Sequence, residues 1–204
     1  MPDQQEVEIK FVLQAPDVIR EKLVGLGAIP HGRHTELNIR LDDSTHSLTG
    51  HGIVLRLRRL ETADGKVNHL LTVKTPGAGD NVDFSVRREI ELEVSDGTAM
   101  LSALEVLGYS PYWCYEKRRE VFSIGSVEAV IDEMPYGWFL ELEGPPSDIR
   151  VLAGELGFDM ADGLTLSYAQ IFDNVRRALQ LDITDLTFEA FKGISVDPQA
   201  YRGT

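Results

Sequence analysis

The sequence predicts an α+β fold: a mainly antiparallel sheet of about eight strands with helices outside it. Three observations predict it. Charged and apolar residues alternate in segment after segment, beginning with Glu6-Val7-Glu8-Ile9-Lys10. Successive side chains of a strand point to opposite faces, so this spacing gathers the charges on one face. Tight turn signals separate several of these segments, which implies antiparallel hairpins. Apolar residues at helical spacing fill four other stretches.

The first strand runs over 5–13, where Val7, Ile9 and Phe11 oppose Glu6, Glu8 and Lys10. Residues 16–26 follow as a helix, with Val18, Ile19, Leu23 and Leu26 on one side and Gly27 as its stop. Alternation returns at 29–41 and at 52–61, where Arg56 and Arg58 alternate with Leu55 and Leu57. Asp64-Gly65 turns the chain into 67–75, which carries Leu71, Val73 and Lys74. Gly77-Ala78-Gly79-Asp80-Asn81 makes a looser connection to 82–94, where Arg87, Glu89 and Glu91 oppose Ile90, Leu92 and Val94.

Met100, Leu101, Leu104 and Leu107 mark a helix over 97–107 that stops at Gly108. Gly125-Ser126 and Pro135-Tyr136-Gly137 divide three further strands, at 112–123, 126–134 and 137–144. These carry Lys117 and Arg119, then Glu128 and Asp132, then Glu141 and Glu143. Helices are expected over 147–156, ending at Gly157, and over 164–180. Residues 1–180 read as one domain, and 181–204, with Pro198 and Gly203, as a short helix and tail.

At 204 residues, with 43% hydrophobic and 26% charged residues, the chain has the composition of a globular domain. No apolar run approaches the roughly 20 residues that span a bilayer. The start, Met1-Pro2-Asp3-Gln4-Gln5, is polar and lacks a secretion signal. Cys114 is the only cysteine, so no internal disulfide forms, and a cytoplasmic location is expected. A net charge of -13 disfavours nucleic acid and anionic membrane as partners. Basic residues nevertheless recur at strand spacing. If they converge, they make a positive pocket in an acidic body, suited to a small, highly charged anion or a metal-bound polyanion.

Parity alone leaves two readings of the charged face. It is either the solvated side of an open sheet, or the lining of a sheet curled into a barrel whose apolar side packs outward on helices. Acids and bases are closely matched on that face, as ion pairing in a partly buried tunnel requires.

The ordered series of motifs resembles the CYTH domain family, the triphosphate tunnel metalloenzymes, over about residues 5–175. Glu6, Glu8 and Lys10 match its Glu-x-Glu-x-Lys signature, and Arg56 and Arg58 its Arg-x-Arg. Lys74 matches the strand lysine, and Arg87, Glu89 and Glu91 the Arg-x-Glu-x-Glu strand. Lys117 and Arg119, Asp132, and Glu141 with Glu143 complete the series, and Ser167-Tyr168 looks like the dipeptide of the family's late helix. The second strand departs from the pattern: Arg40 and Leu41 stand where an aromatic residue is expected.

The resemblance implies an eight-stranded antiparallel β-barrel, a tunnel with a charged interior and helices packed outside. It also implies a divalent metal and a triphosphate-bearing substrate. Related activities are class IV adenylyl cyclase, thiamine triphosphatase and inorganic tripolyphosphatase. Arginine clamps phosphate bidentately and lysine serves as a point charge. Lys10, Arg56, Arg58, Lys74, Arg87, Lys117 and Arg119 are therefore the substrate-binding candidates. Carboxylates suit Mg²⁺ or Mn²⁺, so Glu6, Glu8, Asp132, Glu141 and Glu143 are the metal candidates. Glu6, Glu8, Lys10, Glu89 and Glu91 are the candidates for the chemical step. Any of those four glutamates could accept the proton of an attacking water, while Glu89 and Glu91 are expected mainly to orient the bases.

The leading expectation is a metal-dependent triphosphate hydrolase. Its rivals are an adenylyl cyclase and a non-catalytic binder of polyphosphate or nucleotide. His31, His34, His46, His51 and His69 form no zinc pattern. Cys114 reads as a small apolar filler, and no Gly-x-x-x-x-Gly-Lys loop is present. Trp113 and Tyr115 read as core or rim, and Trp138 as a packing residue that could lie near a tunnel mouth. Outer apolar residues leave a homodimer open.

Overall fold

Each alternating segment forms a strand, and the strands close on one another. The structure, a computed structural model, describes residues 3–77 and 83–203. In chain order β1 (Asp3–Leu13) leads to α1 (Pro16–Gly25), β2 (Ile29–Asp42), a one-turn α2 (Ser47–Gly50), β3 (Val54–Thr62) and β4 (Val67–Pro76). Then come β5 (Ser85–Val94), α3 (Gly97–Val106), β6 (Ser110–Ile124), β7 (Val127–Met134), β8 (Gly137–Glu143), α4 (Pro146–Leu156) and α5 (Tyr168–Leu179). The strands form a closed barrel in the order β1-β5-β4-β3-β2-β6-β7-β8. Every neighbouring pair is antiparallel. The Gly77–Asn81 connection lies, from Ala78 on, outside the described residues, as does the first residue of the strand expected at 82–94.

Local chemistry sets the ends of the elements. Pro16 and Pro146 open α1 and α4 at positions where a missing N–H costs nothing. Gly157 ends α4 with φ +91°, a left-handed conformation that glycine adopts without a Cβ clash. The Asp96 side chain caps α3 at the backbone N–H of Ala99.

Closure decides which way the charges face. Lys10 is 2% exposed, Lys117 3%, Glu141 7% and Asp132 0%. The charged face therefore lines the interior, and the solvated-sheet reading does not hold. The apolar face packs outward. Ile9, Phe11, Ile131, Leu140 and Leu142 meet Ile19 and Leu23 of α1 and Ile149 and Leu152 of α4. Leu41, Leu55 and Leu57 meet Leu104 of α3. Each such buried side chain contributes about 1.5–3 kcal/mol, which offsets the cost of a charged interior. Trp138 belongs to this outer packing, against the first cluster.

A third apolar cluster joins the barrel to α5 and the C-terminal segment. Met134, Tyr136 and Phe139, at the β7–β8 turn, pack with Tyr168, Ile171, Phe172 and Val175 of α5. Leu186, Phe191 and Tyr201 from the C-terminal segment join them, and all three are buried. That segment ends in a 3-10 helix, Pro198–Arg202.

The helix expected over 164–180 is shorter, and the reason is backbone pairing. β1 leaves β5 after Glu8. The freed edge of Lys10 then bonds Leu164 in both directions, N–H to carbonyl at 3.0 and 2.7 Å. Helix α5 begins only after Ser167, whose hydroxyl caps it in a reciprocal box with Gln170. In the same way Leu186 occupies the edge of β6 beside Cys114 and Glu116.

Candidate functional site

The barrel encloses a cavity of about 710 Å³. β1 contributes Glu6, Glu8 and Lys10 to its lining, β3 Arg56 and Arg58, and β4 Lys74. β5 contributes Arg87, Glu89 and Glu91, β6 Lys117 and Arg119, and β8 Glu141 and Glu143. The seven bases predicted to grip substrate thus share one space with every predicted acid except Asp132.

Most of the bases are held by carboxylates, on their own strand or on other strands of the barrel. Lys74 Nζ donates to both oxygens of Glu6, at 2.7 and 2.6 Å, and lies 2.8 Å from Glu89. Lys10 Nζ donates to Glu8 at 2.6 Å and lies 3.2 Å from Glu141. Arg119 grips Asp132 bidentately, at 2.8 and 2.6 Å, and also donates to Glu141. Arg58 lies between Glu36 and Glu91, at 3.7 and 3.5 Å. Arg56 donates to the Tyr115 hydroxyl at 2.9 Å and to Thr72 at 3.3 Å.

These contacts fix the charge states. Burial alone would lower the pKa of Lys10, but Glu8 and Glu141 outweigh it and hold the ammonium above its ordinary value. Lys74 is raised in the same way, against its own burial, chiefly by Glu6. Burial works against Arg119 too, and Asp132 and Glu141 outweigh it. Glu141 is pushed up by burial and pulled further down by Lys10 and Arg119, so it stays ionised. The interior is a lattice of fixed opposite charges.

The CYTH domain model matches residues 4–154. The chain belongs to the CYTH domain family. A provisionally named adenylate cyclase of Methanocaldococcus jannaschii is 30% identical over 146 residues, 71% of this chain and 79% of that protein. A structure of a provisionally named adenylate cyclase from Vibrio parahaemolyticus is 23% identical, with a TM-score of 0.73. That match covers 83% of this chain and 98% of that one. A provisionally named adenylyl cyclase from Hippeastrum, described as having a dominant triphosphatase activity, matches with a TM-score of 0.58 at 19% identity. That match covers 82% of this chain and 95% of that one. CYTH proteins are enzymes, triphosphatases or cyclases, and depend on a metal.

In this CYTH barrel one row of acids is where a divalent cation would be held. Glu8, Glu143 and Glu128 stand directly opposite one another on β1, β8 and β7. Burial pushes the Glu143 carboxyl up to about 8, with Glu6, Glu128 and Glu8 adding to it against Lys74. Carboxylates crowded this way are relieved by a hard cation. Among the described residues no three acids, histidines or cysteines converge on one point; Glu6 and Glu8 are turned to Lys74 and Lys10. Asp132, expected among the ligands, is wholly buried, with its oxygens taken by Arg119, Lys117 and the Tyr168 hydroxyl.

Among the inward residues absent from the predicted set are Glu36, Arg40 and Glu128. Glu36 is fully buried, accepts from Asn38 at 3.2 Å and bonds His34 at 3.0 Å. It lies 3.7 Å from Lys117. Burial would raise its pKa, but Lys117, His34 and Arg119 bring it well below the carboxylate range. Arg40 and Glu128 line the cavity. Parity reveals all three: Glu36 and Arg40 alternate with Leu37, Ile39 and Leu41, and Glu128 shares its face with Asp132. Cys114 bonds the C-terminal segment through its backbone, and burial with Asp185 pushes its thiol up to about 11.

Proposed function

We propose that this CYTH protein is a metal-dependent hydrolase of a triphosphate-bearing substrate: inorganic tripolyphosphate, thiamine triphosphate or a nucleoside triphosphate. The supporting observation is the surplus of donors in the cavity. The Nε groups of Arg56 and Arg58 are buried and have no acceptor. The seven predicted bases line that one cavity, and a chain of phosphoryl oxygens entering it meets their ammonium and guanidinium groups.

The residues divide the work. Lys10, Arg56, Arg58, Lys74, Arg87, Lys117 and Arg119 bind and orient the phosphoryl chain and stabilise charge on the leaving phosphate. Asp132 and Glu141 position Arg119, Lys117 and Lys10 rather than acting as primary ligands. Glu6, Glu8, Glu128 and Glu143 are the residues that would hold Mg²⁺ or Mn²⁺, which when bound polarises phosphoryl oxygens and acidifies water. Water attacks the terminal phosphorus, the P–O bond to the bridging oxygen breaks, and the water proton passes to a cavity glutamate. Glu6, Glu8, Glu89 and Glu91 all lie within reach of that space.

The test is phosphate release from tripolyphosphate, thiamine triphosphate and ATP with Mg²⁺ or Mn²⁺, alongside a cyclic AMP readout. Phosphate without cyclic AMP supports the hydrolase and identifies its substrate. The second reading, an adenylyl cyclase, is favoured by the name of the Methanocaldococcus relative; cyclic AMP with pyrophosphate would establish it. Tight tripolyphosphate binding without turnover would make the protein a binder.

A further inference from the structure

Glu36 is an anion set among bases that it does not hold. Its side chain is 0% exposed, and among the described residues it is not one that lines the cavity. It lies 3.7 Å from Arg58, 3.7 Å from Lys117 and 3.9 Å from Arg119, all beyond hydrogen-bond reach. Its oxygens bond its own strand instead, Oε1 with His34 at 3.0 Å and Oε2 with Asn38 at 3.2 Å. The three bases take their geometry from elsewhere. Asp132 accepts from Lys117 and binds Arg119 through two nitrogens, Glu141 accepts from Arg119, and Glu91 lies 3.5 Å from Arg58.

The two buried acids therefore act differently. Asp132 aims bases through hydrogen bonds. Glu36 offsets positive charge at close range, where burial limits screening by salt. Burial opposes its ionisation, but Lys117, His34 and Arg119 outweigh burial, so it stays charged. His34 links this anion to solvent. Its side chain is 17% exposed, and it stands opposite Thr62 on β3 and Arg119 on β6. The charged groups facing the His34–Glu36 pair are Arg56 and Arg58 from β3 and Lys117 and Arg119 from β6, with Asp132 of β7 beyond the last two. A protonated imidazole cancels the charge of Glu36 without removing the side chain.

We propose that Glu36 tunes the charge of the tunnel from behind its wall, weakening the hold of Arg58, Lys117 and Arg119 on phosphoryl oxygens so that product leaves, and that His34 modulates it. This rests on the hydrolase reading above. Neutralising Glu36 has two opposed effects. It frees positive charge, which tightens anion binding, and it withdraws an anion that the bases surround, which loosens them. The first effect wins, because the hydrogen bonds that fix Lys117 and Arg119 belong to Asp132 and Glu141. Tighter binding of substrate and product alike does not speed the chemical step, and slow release then limits turnover. Glu36→Gln should lower KM and kcat together, whereas loss of a residue that aims the bases raises KM.

Titration calorimetry without divalent metal tests it on the full chain with two probes, tripolyphosphate and pyrophosphate. Glu36→Gln is expected to bind both about tenfold more tightly than wild type, the order expected for one nearby charge removed. Glu36→Asp keeps the charge and should return the affinity towards wild type. Wild-type binding that a folded Glu36→Gln protein matches or weakens overturns this inference and leaves the hydrolase standing. Failure of wild type to bind either probe overturns both. If Glu36→Gln does not fold, pH supplies the second reading. From about pH 8 to about pH 5.5, wild-type affinity for tripolyphosphate should rise more than that of His34→Gln, which keeps a hydrogen-bond donor but has no titrating ring. Protonation of the phosphate chain is common to both proteins and cancels. An equal rise in the two proteins overturns the inference.

Discussion

Arg119 binds Asp132 through two nitrogens across β6 and β7, Nε to Oδ1 at 2.8 Å and Nη2 to Oδ2 at 2.6 Å. Asp132 also accepts from Lys117 and from Tyr168, at 3.1 and 3.0 Å. One carboxylate thereby sets the position of two substrate-facing bases. Asp132→Asn is expected to cost about 3–5 kcal/mol of stability, because it leaves buried cations uncompensated. It should also raise KM for triphosphate more than it lowers kcat. Affinity for Mn²⁺, read by calorimetry, should stay near wild type. A selective loss of metal affinity would make Asp132 a ligand instead.

Glu36 predicts an acid-dependent stability. Its native pKa lies below the ordinary carboxylate value because Lys117, His34 and Arg119 outweigh its burial. The native state therefore holds on to fewer protons than the unfolded chain as the pH falls. Its contribution is fully present above about pH 4.5 and is lost progressively on acidification through the lowered native value. Urea midpoints measured from pH 6 downward should fall more steeply for wild type than for Glu36→Gln, with Glu141 and the hydrogen-bonded Asp42, Asp43, Asp64 and Asp148 supplying the slope that remains. Parallel curves would show that Glu36 titrates normally.

Much of this site was legible because strand parity is a local property. Glu6, Glu8 and Lys10 share a face in any extended chain, and so do Arg56 and Arg58. The direction of that face was not legible: it depends on β1 pairing with both β5 and β8, which no local segment encodes. Glu36 and Arg40 carried the right parity, but Pro30, His31 and Gly32 blur the alternation at the start of their strand. Leu164 read as helical because Leu164 and Leu166 precede a true amphipathic helix, whereas its backbone is claimed by Lys10. The C-terminal segment showed no period because it docks through scattered anchors rather than one face.

Cation binding should stabilise the folded protein through the glutamate row. A ligand that binds only the native state adds about 2.7 kcal/mol at a hundredfold excess over its Kd. Mn²⁺ should therefore raise the melting temperature of wild type. Glu143→Gln and Glu128→Gln should each remove most of that rise. Glu141→Gln, which leaves Glu8 and Glu143 facing each other, should retain it while turnover falls steeply through the loss of the Lys10 and Arg119 anchor. Equal loss of the metal shift in all three variants would extend the metal site to Glu141. Near-normal turnover in both Glu141→Gln and Glu143→Gln would sink the hydrolase assignment itself.

Leu186 ties the C-terminal segment to the site. It is 0% exposed, packs in the cluster with Phe139 and Tyr168, and bonds the backbone of β6 beside Tyr115. Tyr115 in turn accepts from Arg56, and Tyr168 donates to Asp132. Leu186→Ala should cost about 2–5 kcal/mol through the cavity it leaves. If the segment only adds stability, kcat/KM measured well below the melting point will match wild type. The contacts just described predict otherwise: loosening this cluster frees α5 and with it the Tyr168 hydroxyl, so KM for triphosphate should rise several-fold while the fold persists. Tyr168→Phe separates the two effects. It keeps the ring beneath Lys10 and Lys117, at 5.3 and 5.6 Å, and removes only the hydrogen bond to Asp132. A KM rise shared by both variants places the coupling in that bond, and a rise confined to Leu186→Ala places it in the packing of α5.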